Sequence, residues 1–154
     1  MGIWSDDEWL TLQLGPVWVM SAIIGRSRFD ELEQKAFVTS VVAAPTGNSA
    51  LPWQLMQAVE RNADTLFDRL SWDNRSIVSG LSQVTALLER VDAPTSRLTR
   101  EAMLRVGAEV ARARGPFGRQ ILEQDAQQLA LVAYILQTPP ETAEGTPLDA
   151  GAMV

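Results

Sequence analysis

Apolar residues along this chain recur at helical intervals. Trp53, Met56, Val59, Ala63, Leu66, Phe67 and Leu70 fall three or four apart, the period of one helix face. Ser49 and Pro52 open that stretch, so one long helix to about Leu70 is expected. Ile77, Leu81, Val84, Leu87, Leu88 and Val91 form a second stripe, with Asp73 as its candidate cap. "DAPTS", residues 92–96, then interrupts, and Thr99 is the candidate cap of a helix through Arg114. A last helix, about Ile121 to Gln137, is densely apolar from Leu129 to Leu136 and is expected at the centre of the fold.

The first part of the chain gives its own boundaries. Ser5-x-x-Glu8 and Asp30-x-x-Glu33 are capping boxes, in which a side-chain oxygen takes a free backbone N–H and the glutamate reaches back. They predict helices from about Asp6 to Leu14 and from Asp30 to about Ala43. Between them a separate helix is expected from Gly15-Pro16 to Ile24, because proline has no N–H for a helix interior. "APTGNS", residues 44–49, is a turn cluster. No alternating strand pattern competes anywhere. The expectation is an all-α fold, a compact bundle of six to seven helices, with residues 1–138 as a single domain. "PPETAEGTPLDAGAMV", residues 139–154, has two adjacent prolines and little bulk, and is expected to be a flexible C-terminal tail that adds little to the core.

Two segments repeat. "GRSRFDELEQKA", residues 25–36, aligns without a gap on "GPFGRQILEQDA", residues 115–126. Gly25 meets Gly115, Leu32-Glu33-Gln34 meets Leu122-Glu123-Gln124, and Ala36 meets Ala126. Further on, Val42-Ala43 meets Val132-Ala133. Each copy follows an apolar helix, so the repeat predicts a pseudo-two-fold helix–loop–helix duplication with the two glycines at equivalent turns.

Composition narrows the chemistry. Histidine and cysteine are both absent. That excludes imidazole acid–base work, the serine–histidine triad, thiolate nucleophiles and metal sites with imidazole or thiolate ligands. A metal site here would be built from oxygen and suit calcium, magnesium or manganese. The best-placed acids are Glu33 and Glu123, with Asp30 and Asp125 beside them in the two repeat loops. A purely structural role is open to them as well. Glu33 is the third residue behind a capping aspartate, and a first-turn carboxylate is favoured by the helix dipole alone. Glu123 is preceded by Gln120, a poor cap. Glu60, Asp64 and Asp68 read as a solvated face, as do Arg97, Arg100, Arg105 and Arg112 with Glu101 and Glu109.

The net charge is −6 and Lys35 is the only lysine among 13 basic residues. No basic run exists to neutralise a phosphate backbone, so nucleic acid is not an expected partner. "WLTLQLGPVWVMSAIIG", residues 9–25, carries no charge, but Gln13 and Gly15-Pro16 interrupt it. It is read as buried core, with no membrane span. The acidic start at Asp6-Asp7-Glu8 is not the basic opening of a secretory signal, and a cytoplasmic location is expected. Trp9, Trp18, Trp53 and Trp72 flank apolar positions and are expected to pack, with Trp4 as a hydrophobic staple.

Trp9, the Gly15-Pro16 pair, a long apolar helix, a short loop and an acidic helix start together resemble the opening of the tellurite-resistance TerB-like helical family. The segment "VGAEVARARGPFGRQILEQDAQQLALVAYIL", residues 106–136, resembles it again. The resemblance implies a seven-helix pseudo-symmetric fold, a role in stress response and acidic residues engaged with divalent metal. Glu33 and Glu123 match the family's helix-starting glutamate. The aspartate of its loop pattern has no counterpart, since Ile24 and Arg114 precede the two glycines. The expected function is a non-enzymatic interaction or stress-response module. Its partner would be another protein or a second copy of the chain. The alternative is a divalent-metal sensor using the loop acids.

Overall fold

A computed structural model describes residues 3–47, 49–118 and 120–138. Residues 139–154, expected as a tail, lie outside the described residues. Among the described residues there are seven α-helices and no strand: α1 (Asp6–Ile24), α2 (Glu31–Ala43), α3 (Ala50–Arg61), α4 (Ala63–Trp72), α5 (Ile77–Leu88), α6 (Ala93–Arg114) and α7 (Glu123–Ile135).

The centre is α1, which is apolar on every side. Leu12, Leu14, Val17, Trp18, Val19 and Met20 are all buried, and α3, α4, α5, α6 and α7 pack around them. A helix apolar all round belongs inside a protein. The expected break at Gly15-Pro16 does not occur: α1 is one helix with Pro16 inside it. Burial on all sides outweighs the single ladder hydrogen bond that proline removes. The expected central position of α7 is also corrected. Its Val132 and Ala133 are buried, but Leu131 and Tyr134 are exposed.

The long helix expected through residues 49–70 is two helices. They part at Asn62, whose backbone leaves helical geometry at φ −105° and ψ 16°. Its carboxamide donates from Nδ2 to the Gln13 Oε1 of α1 at 2.9 Å, a polar contact that exists only in the folded core. Beyond α4, Asp73 does not cap α5; Ser76 does, accepting from Ser79 N at 3.0 Å. Asp73 instead closes the α4–α5 turn. Its Oδ1 accepts from the backbone N and Nε of Arg75, and its Oδ2 accepts from Arg75 Nη2 and Arg69 Nε. The carboxylate is held well below its usual pKa, first by the Arg75 guanidinium, then by the Arg75 backbone N–H and by Arg69.

Likewise the cap of α6 lies seven residues before the expected one. Asp92 caps it, accepting from Thr95 N at 3.1 Å, with Pro94 in the first turn where no N–H is needed. Thr99 lies inside the helix, fully buried, and returns its hydroxyl to Thr95 O at 2.8 Å. α5 crosses α1 closely at Gly80, where a Cβ would fall 2.5 Å from the Trp18 ring. Trp4 and Trp18 pack as expected, whereas Trp53 and Trp72 are 52% and 60% exposed. Trp72 lies under the Arg69 guanidinium at 4.5 Å, a surface cation–π contact. Among the described residues no helix is long and apolar enough to cross a membrane.

Candidate functional site

Both repeats form helix–loop–helix hairpins, α1–α2 and α6–α7, and their second helices cross over: α2 packs on α6, and α7 packs on α1. That exchange is what a pseudo-two-fold arrangement demands. The aligned loops are nevertheless built differently. Gly25 ends α1 in the left-handed conformation, φ 85°, and donates to Ser21 O. Gly115 is extended, φ −84° and ψ 179°, and a Cβ there would fall on the Gln120 carbonyl. The expected equivalence of the two glycines therefore fails at the backbone. The aligned glutamates also occupy different helix positions, Glu33 third in α2 and Glu123 first in α7. The capping aspartate explains this. Asp30 fixes the start of α2, while Leu122 precedes α7 without any side-chain cap.

The four candidate acids then take four different environments. Asp30 Oδ1 accepts from Glu33 N at 2.8 Å, completing the capping box. Glu33 Oε1 accepts from Asp30 N at 2.9 Å, and the Arg26 guanidinium donates to both of its oxygens, at 2.9 and 2.7 Å. Arg26 holds Glu33 below the usual carboxylate pKa, with the Asp30 backbone N–H and Arg114 adding to the effect against the cost of partial burial. Arg114 spans the two hairpins. Its Nε donates to Asp125 Oδ2 at 3.0 Å, and its Nη1 lies 3.9 Å from Glu33. Asp125 is fully buried, and its Oδ1 has no hydrogen-bond partner among the described residues. Glu123 faces solvent. The two aligned loops thus meet in space at Arg114. Among the described residues no three acids are grouped as a metal ligand set.

A second feature was missed by sequence reasoning. Between α6, α7 and the residues around Pro45 and Gly47 lies a groove of about 610 Å³. Leu98, Leu104, Ala108, Ala126, Leu129 and Ala130 supply its apolar lining, and Glu101, Arg105 and Arg112 its charges. Alanines at facing positions of the two helices leave the space. A larger side chain at any of them would fill it, as a core requires. That trio of alanines was the available signal, but it is visible only once α6 and α7 are known to be neighbours.

The groove has a well-anchored end. Gln137 takes a left-handed conformation, φ 56°, and the backbone closes on itself through Gln137 N to Tyr134 O at 3.0 Å and Thr138 N to Ala133 O at 2.9 Å. This is the Schellman pattern, with glutamine where glycine is usual. Arg100, expected on a solvated face, is instead buried and donates from Nη1 to Leu136 O at 3.0 Å. Its cation sits at the negative end of the α7 dipole. Thr85 Oγ1 donates to Ile135 O at 3.1 Å. Thr138, buried, lines the groove.

No family model matches the chain, and no curated protein or solved structure matches it.

Proposed function

We propose that this chain is a non-enzymatic helical interaction module, TerB-like in character and serving a stress response, and that it receives an apolar, carboxylate-bearing segment of a partner protein between α6 and α7. The carrying observation is the α6–α7 groove, an apolar concavity with arginines among its charged lining residues. Grooves of this kind take up peptide segments through apolar anchors, while a few charged groups set orientation. The absence of histidine and cysteine leaves a small catalytic repertoire. The carboxylates Glu33 and Asp125 are already engaged with arginine. The stress-response setting is supported by the sequence resemblance alone.

Selection of a random displayed peptide library on the full chain tests the reading. Enriched peptides should combine bulky apolar residues with Asp or Glu, and should lose at least tenfold in affinity for the groove-filling variant Ala108→Trp. Peptides that bind Ala108→Trp as well as the parent chain would overturn the groove as the binding site.

A further inference from the structure

We infer that residues 139–154 of the chain itself occupy the α6–α7 groove and compete there with the partner segment, an inference that rests on reading the groove as the binding site. The described chain ends on the groove. Thr138 lines it, and the hydrogen bond from Thr138 N to Ala133 O fixes the direction in which the backbone leaves α7. The Arg100 contact to Leu136 places this exit beside the first turns of α6, at the Leu98 end. The remaining lining runs from there toward Arg112.

Length, charge and composition agree with this occupant. From Leu98 to Arg112 the helix advances about 21 Å at roughly 1.5 Å per residue. The stretch from Thr138 to Leu148 can extend to about 33 Å, so its apolar residues can reach any part of the groove. The segment carries Glu141, Glu144 and Asp149 and no basic residue, opposite in sign to two of the three charged lining side chains, Arg105 and Arg112, the third being Glu101; Arg112 also donates to Glu109. Its bulk is confined to Pro147-Leu148 and Met153-Val154, short apolar pairs suited to a lining of leucine and alanine. A tether this short holds the segment at an effective concentration on the order of millimolar, enough for weak contacts to fill the groove. A partner must then displace it, which sets a threshold on partner concentration without any change in the helices.

The natural lack of cysteine allows one thiol to be placed at will. A nitroxide attached to the full chain at Ala150→Cys should broaden the amide resonances of Leu104, Ala108 and Ala130 at least twofold more than those of Leu32 or Val78 on other faces. Adding Leu148→Asp should abolish that selectivity. It should also raise the affinity of a groove-selected peptide by roughly tenfold, the release of an intramolecular competitor. Uniform broadening would overturn the inference, as would selectivity that survives Leu148→Asp. Either result leaves the groove reading intact, because that reading stands or falls on Ala108→Trp.

Discussion

Gln137 is the residue whose backbone works hardest. A non-glycine side chain in the left-handed region costs about 1–2 kcal/mol, and glycine there loses only its extra unfolded-state freedom, about 0.5–1 kcal/mol. The α7 terminus holds it there because three partners, Thr85, Arg100 and the Thr138 backbone, fix the surrounding groups. Gln137→Gly should therefore stabilise the fold by roughly 0.5–1 kcal/mol, raising the melting temperature by about 2–4 °C. A drop in melting temperature would show that the glutamine side chain has a compensating contact. At this scale the sequence was legible where a residue acts on its near neighbours. Ser5-Glu8 and Asp30-Glu33 form both capping boxes as their spacing requires. It was opaque where a residue acts across the fold. Asn62 breaks a helix to meet Gln13, and Arg100 leaves solvent to reach Leu136. Neither partner lies within a helical turn of it in sequence.

Helix starts decide what the paired glutamates do. Glu33 closes a capping box and accepts two hydrogen bonds from the half-exposed Arg26, so Glu33→Gln should cost about 1 kcal/mol. Glu123, exposed at the first position of α7, has only the dipole to answer, and Glu123→Gln should cost about 0.3–1 kcal/mol. Both losses should be the same with chelator and with millimolar calcium or manganese, read by thermal melting. A metal-induced rise in the parent melting temperature that both variants lack would establish the sensor role, since a ligand stabilises by binding the native state. The repeat itself was legible as two hairpins, whereas the exchange of their second helices, α2 onto α6 and α7 onto α1, was not. Nor were its loops, because identical letters at Gly25 and Gly115 carry no record of φ. The α6–α7 groove escaped for a related reason. Small residues on two helices mean nothing until the helices are known to face each other.

Across the whole molecule, folded-state carboxylates set the response to acid. Asp73 and Glu33 both have pKa values depressed in the fold by arginine. Such a group stabilises the fold fully above its unfolded pKa, about 4, and that contribution is lost as pH falls toward the folded value. Urea unfolding should show stability nearly flat from pH 7 to about 5 and falling below about 4. Asp73→Asn should lose on the order of 2 kcal/mol at pH 7, the worth of hydrogen bonds to a charged group, and should show a shallower acid limb. An unchanged limb would mean that other carboxylates govern it. The all-helical class was readable because burial is written in period, yet the identity of the central helix was not. The apolar run of α7 suggested it, while α1, which carries no one-sided stripe, holds the place.

The central position of α1 also bears on motion. An amide exchanges with solvent deuterium only when its hydrogen bond opens to water. The α1 backbone from Leu12 to Met20 lies beneath five other helices, so no local fraying can reach it. Its amides should exchange only through global unfolding and give the full unfolding free energy, whereas α7, with Leu131 and Tyr134 open to solvent, should exchange earlier through partial opening. Protection in α7 equal to that in α1 would show that the two helices open as one cooperative unit. Earlier opening of α7 would mean that the groove is formed by the part of the fold most easily released, so that whatever occupies it also decides how often it exists.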